Sequence, residues 1–181
     1  MAFTGSTGGG RKGQTSASSQ FIDVGLELGG KDPAYIRQDA DLDSAVPEVM
    51  DGVFYNAGQS CCAVERIYVH HFLFDKFVDG AIEFMNNLII GDPMDDSIDM
   101  GPMAQESGIK TVENQLKDAT DKGAKILTHT GPIPDGENYI LPAILTNVDH
   151  GMKAMIDETF GPIVGIMAVE SDEEAVRLMN D

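Results

Sequence analysis

Two adjacent cysteines, Cys61 and Cys62, stand in the stretch YNAGQSCCAVER (55–66) and are the only cysteines of the chain. A bridge between sequence neighbours closes a strained ring, and two cysteines make no disulfide framework, so both read as reduced thiols. With His70 and His71 nearby they lack the paired spacing of a zinc site, and no metal is expected. Two readings stay open on the residues alone. A free cysteine often only fills buried space. Alternatively, one of the pair is a nucleophile, because the amides of an irregular Gly-rich loop stabilise both a thiolate and the oxyanion formed when it attacks a carbonyl.

A nucleophile needs a group that moves protons. His70, His71, His129 and His150 have no telling spacing and read as surface or turn residues. Glu27, in GLELGGK, ends an otherwise apolar strand just before Gly29 and Gly30, where desolvation would suit a general base. The plainer reading pairs it with Lys31. In FTGSTGGG, Gly5 and Ser6 open a run of small residues that lets backbone amides approach phosphate oxygens; a flexible terminus has a similar composition. Glu158 and Phe160 lie in DETFGPIVG, before an apolar strand. There a carboxylate can hold ribose hydroxyls and a ring can pack on a nicotinamide, although exposed turn carboxylates are common.

The elements that must position these residues alternate. FIDVGLELGG reads as a strand ending at the two glycines. Leu42, Ala45, Val46, Val49, Val53 and Phe54 define a helical face, capped by Asp43 or Ser44, with Pro47 in the first turn and Gly58 at the end. RIYVH follows as a strand, and Phe74 to Ile89 carries the clearest helical periodicity. A polar loop, GDPMDDSIDMGPM, leads to a helix over 107–122. AKILTHTG, YILPAILTNV and PIVGIMAVE read as strands, and Ser171 with Glu174 forms a capping box for a last helix. Strands alternating with amphipathic helices predict an α/β fold with a largely parallel sheet and flanking helices.

Composition narrows the partners. The net charge of −18, from 12 basic and 30 acidic residues, repels phosphate backbones and anionic membrane surfaces, so neither nucleic acid nor membrane is expected as a partner. No apolar run is long enough to span a bilayer and the N-terminus has no signal-like segment, which predicts a cytoplasmic protein. The chain opens on what reads as the end of a strand and stops inside a helix, as a piece of a longer protein would.

Together, the motifs resemble those of the aldehyde dehydrogenase superfamily. LELGGKDP (26–33) is similar to the family's general-base motif, GQSCCA (58–63) to its nucleophile motif, ETFGPI (158–163) to its cofactor-ribose motif and FTGST (3–7) to its pyrophosphate turn. The spacing agrees, with 34 positions from Glu27 to Cys61 and 97 from Cys61 to Glu158. The likeness runs over nearly the whole chain. It implies residues 1–26 as the end of a cofactor-binding domain and 27–181 as a catalytic domain truncated at its C-terminus. Within Gly-Gln-x-Cys the catalytic position is Cys61, with Cys62 as its neighbour. Cys61 would attack an aldehyde, hydride would leave for NAD or NADP, and Glu27 would activate the water that hydrolyses the thioester to a carboxylic acid. The Cys61 N–H would supply part of the oxyanion hole. Gly5, Ser6, Leu28, Glu158 and Phe160 would contact the cofactor, and the full-length protein would be a homo-oligomer. The resemblance covers the middle of the family's chain, without the upstream Asn of the oxyanion hole and the upstream Lys of the adenosine ribose. Two other expectations remain: a catalytically silent fragment, or a cysteine esterase working without cofactor. The first helix departs from the family, since GGGRKGQTSASSQ offers little apolar face.

Overall fold

The structure, a computed structural model, describes residues 1–136 and 138–181. It divides into two compact units, Met1–Gly30 and Lys31–Asp181.

In the first unit β1 (Ala2–Thr4), α1 (Thr7–Ser18) and β2 (Gly25–Glu27) form a small crossover, with β1 and β2 parallel and Phe3 opposite Leu26. Ser6 caps the helix, its Oγ accepting from the Gly9 N–H at 3.2 Å. Gly-rich composition argues against a helix here, at about 1 kcal/mol per glycine relative to alanine. Close packing decides otherwise. A Cβ on Gly10 would stand 2.6 Å from Leu28 Cδ2, and one on Gly9 2.7 Å from the Phe3 ring. The missing side chains let the helix lie directly on Phe3 and Leu28, which replaces the apolar face that the sequence lacks.

The second unit runs β3 (Asp32–Ile36), α2 (Leu42–Phe54), β4 (Val64–His70), α3 (Phe74–Asn87), α4 (Glu106–Asp121), β5 (Lys125–Thr128), β6 (Ala143–Thr146), α5 (Lys153–Ile156), β7 (Ile163–Val169) and α6 (Asp172–Met179). The sheet order is β3-β4-β7-β6-β5; all neighbours are parallel except the antiparallel β5 and β6. Both faces are covered, so β7 is apolar throughout and β4 and β6 are buried on both sides, the polar residues of β4 being buried as well. Ile67, Val69, Ile144, Val164 and Ile166 point to a core shared with Met50 and Phe54 of α2 and Phe77, Ala81 and Met85 of α3. Tyr68, Ala143, Leu145 and Ile163 point the other way, against Val112 and Ala119 of α4, Met155 of α5 and Leu178 of α6.

Several local expectations need correction. Strand β3 is an element that the sequence reading does not include. Pro33 is tolerated because β3 is an edge strand, and the register shifts between Asp32 and Pro33. Helix α2 is capped by Asp41, whose carboxylate accepts from the Asp43 N–H at 3.1 Å, rather than by Asp43 or Ser44. Pro47 consequently falls in the second turn. The helix stops at Phe54, short of Gly58. Ser171 does cap α6, but Glu174 reaches back to the Glu170 N–H at 2.8 Å, one residue before the cap. His70 and His129 are buried, not superficial; the His129 ring is held between the Leu88 carbonyl and the Gly131 N–H.

Candidate functional site

The cysteine loop begins in a strained turn. Asn56, Ala57 and Gly58 are all left-handed, at φ 52°, 56° and 69°, a conformation that costs a non-glycine residue on the order of 1 kcal/mol and persists only when its surroundings enforce it. They do so here. Ala57 is buried against a small cluster containing Ile90, Met100 and Met103. The Asn56 amide donates to the Gln59 carbonyl at 3.1 Å, and the Gln59 amide donates back to the Asn56 carbonyl at 3.0 Å. Gln59 Oε1 accepts from the Ala104 N–H at 2.8 Å, which fastens the loop to the segment before α4.

Cys61 and Cys62 follow this turn, and both are free and exposed in this chain. Cys62 Sγ lies 3.2 Å from Ser60 Oγ. Among the described residues, no group of three or more His, Cys, Asp or Glu is arranged to hold a metal ion.

The segment carrying Glu158 and Phe160 lies beside the same turn. A Cβ on Gly58 would stand 2.6 Å from the Gly161 carbonyl carbon, so the two backbones are in contact. Beside this contact lies a cleft of about 340 Å³ lined by Gln59, by Ala104 before α4 and Thr111 within it, and by Glu158, Thr159 and Phe160. Glu158 is half-buried and Phe160, at φ 51°, exposes its ring.

This segment is held from below by residues that the sequence reading passed over. Glu65 on β4 is 4% exposed. Its Oε2 accepts from the Thr159 N–H at 2.7 Å and from Lys31 Nζ at 2.8 Å, and its Oε1 accepts from the Phe160 N–H at 2.9 Å. Lys31 also donates to Thr159 Oγ1 at 2.8 Å. Burial holds the Lys31 ammonium below its ordinary value, while the Glu65 carboxylate pulls the other way. Lys31 is thus engaged by Glu65 and Thr159. Glu27 itself, the last residue of β2, is exposed, so this chain does not supply the desolvation expected around it. A Glu-Arg pair inside the buried strand VERIYVH was the available signal, since charges in a covered strand must find partners. Removing Lys31 leaves the Glu65 charge buried with backbone donors alone. We expect Lys31→Met to lower unfolding stability by about 2–3 kcal/mol in urea titrations.

Of the other expected cofactor residues, Gly5 (φ 152°) and Ser6 stand where β1 turns into α1, and Leu28 packs on Gly10. All three belong to the first unit, with Glu27.

The aldehyde dehydrogenase family model matches residues 1–181, the whole chain. The chain belongs to the aldehyde dehydrogenase family. It is 36% identical to the D-glyceraldehyde dehydrogenase (NADP(+)) of Thermoplasma acidophilum over all of its own length and 37% of that protein's. Among solved structures, betaine aldehyde dehydrogenase of Staphylococcus aureus in complex with NAD+ superposes with a TM-score of 0.94 at 32% identity, covering 99% of this chain and 37% of the other. Lactaldehyde dehydrogenase of Escherichia coli gives 0.93 at 36%, covering 99% and 38%. The chain therefore spans a little over a third of the length of these aldehyde dehydrogenases, and the largely parallel α/β architecture is the family's. No described helix is long and apolar enough to cross a membrane.

Proposed function

We propose that the protein to which this chain belongs oxidises an aldehyde to a carboxylic acid with NAD or NADP, with Cys61 as nucleophile. The observation that supports this reading is that the strained, doubly fastened turn leading to the exposed Cys61 packs its backbone against the segment of Glu158 and Phe160, with Gln59 of that turn lining the same cleft as those two residues. A nicotinamide nucleotide is compatible with those residues. Glu158 is suited to ribose hydroxyls, Phe160 to packing near the nicotinamide, Gly5 and Ser6 to the pyrophosphate in the cofactor-binding part, residues 1–26, and Leu28, just beyond it, to a further cofactor contact.

Cys61 Sγ adds to the aldehyde carbon to give a thiohemiacetal, and the Cys61 N–H donates to the developing oxyanion. The cofactor, when bound, supplies the hydride acceptor. Glu27 then takes a proton from the water that attacks the resulting thioester, releasing the acid and restoring the thiol. Its presence favours hydrolysis over transfer of the acyl group to another thiol. We place the protein in the cytoplasm as a homo-oligomer.

The test supplies aldehyde with NAD or NADP and follows both reduced nucleotide and acid. Equal amounts of the two support the reading. Cleavage of an activated ester without any dependence on nucleotide would replace it with the esterase, and absence of saturable nucleotide binding by calorimetry would point to the silent fragment.

A further inference from the structure

We propose that Glu65 is a positioning residue, one that holds the 157–160 segment in the shape that presents Glu158 and Phe160 to the cofactor; the cofactor clause rests on the function proposed above. Four consecutive residues of an irregular segment are pinned by buried side chains. Glu65 takes the Thr159 and Phe160 N–H groups, one on each carboxylate oxygen. Gln115, 3% exposed on α4, donates from one amide nitrogen to the Asp157 carbonyl at 3.3 Å and the Glu158 carbonyl at 3.1 Å. Its Oε1 accepts from Thr159 Oγ1 at 2.6 Å, and the Thr159 hydroxyl oxygen in turn accepts from Lys31. The peptide groups flanking Glu158 are therefore fixed on both sides, which fixes where its Cα–Cβ bond points.

Phe160 shows why such a hold is needed. A bulky aromatic residue at φ 51° leaves that conformation unless its backbone is restrained, and the hydrogen bond from its own N–H to Glu65 Oε1 is the restraint. A buried ion pair is a poor device for stability, because desolvation offsets much of its attraction. Its value here is directional, since the carboxylate is a forked acceptor whose two oxygens take two successive N–H groups, and Lys31 donates to one of those oxygens from the other side.

Amide hydrogen exchange tests this without any cofactor. In the unsubstituted chain the Thr159 and Phe160 amides should be protected although they lie in a loop, and exchange there at the rate of an open peptide would overturn the proposal. In Glu65→Gln, exchange should quicken about 10- to 100-fold at those two amides, with that of β4 and β7 unchanged. Calorimetry with NAD and NADP forms the second arm. Where the parent chain binds, Glu65→Gln should weaken binding about tenfold or more; faster exchange with unaltered affinity would remove the link to the cofactor. Where the parent chain binds neither nucleotide, the cofactor reading fails while exchange alone still decides whether Glu65 holds the segment. Should Glu65→Gln fail to fold, Thr159→Val removes the hydroxyl link to Gln115 and Lys31 but keeps the N–H. It should leave the Phe160 amide protected through Glu65, and loss of that protection would count against the carboxylate as the anchor.

Discussion

Cys61→Ala is expected to abolish aldehyde oxidation, lowering kcat/KM by on the order of 10³-fold or more, whereas Cys62→Ala should leave it within about tenfold of the parent. The asymmetry is the informative part, because the two thiols are neighbours, both exposed and both free. Neither is in the core, so unfolding midpoints of both variants should stay within about 0.5 kcal/mol of the parent, and a rate difference could not be assigned to folding. The difference arises from what surrounds each sulfur. Cys62 Sγ lies against Ser60 Oγ at 3.2 Å, which engages it locally. Cys61 is the cysteine that aligns with the family's Gly-Gln-x-Cys pattern, two residues beyond the fastened Gln59. The measurement is the initial rate of reduced nucleotide formation for the parent and both variants. Comparable rates in Cys61→Ala and parent would remove Cys61 from the mechanism, and loss in Cys62→Ala alone would transfer the role to its neighbour. An alkylating reagent adds an independent reading, since the rate at which each single-cysteine variant is modified reports the nucleophilicity of the remaining thiol.

What was legible in the sequence followed from periodicity and from short motifs. The apolar spacing of Phe77, Ala81 and Met85 announced α3, and continuous apolar runs announced β6 and β7, because burial imposes those patterns directly. The exposed cysteine and the carboxylate before β7 were marked by motif. Three things could not be read locally. Strand β3 is one, since the acceptability of Pro33 within it depends on the strand lying at an edge, a property of the assembled sheet. The glycines of α1 looked like helix breakers until Phe3 and Leu28 were seen against them. Glu65 looked like an ordinary charged residue beside Arg66. Its role depends on Thr159, 94 positions away, and on Lys31, 34 away, and no spacing rule links a strand residue to a loop at that separation. The same reasoning applies to Lys31, because an ammonium that becomes buried is stabilised by the acceptors that are buried with it, here Glu65 and Thr159.

Gly58→Ala is expected to destabilise the protein by about 3–5 kcal/mol and to disturb both the cysteine loop and the 158–161 segment. Two separate costs combine. At φ 69° the new residue would occupy a left-handed conformation, the third in succession after Asn56 and Ala57. Its methyl would also stand 2.6 Å from the Gly161 carbonyl carbon and 3.2 Å from the Val53 carbonyl oxygen. These are backbone atoms, and neither can swing aside as a side chain would. Gly161 is confined in turn, because a Cβ there would lie 2.5 Å from Val112 of α4, so the segment has no room to retreat. The strain must therefore move the turn itself, together with Gln59 and the cysteines that follow it. Gly52→Ala is the control. Gly52 lies inside α2, and its added methyl would meet only a Val64 methyl at 3.3 Å, so the substitution should alter stability by less than about 1 kcal/mol in either direction. Urea unfolding of the two variants, read beside the alkylation rate of Cys61, separates the outcomes. Gly58→Ala should lose stability and change thiol reactivity together while Gly52→Ala changes neither. Equal stability for the two variants would show that the close approach of the two loops is not what holds Cys61 in place.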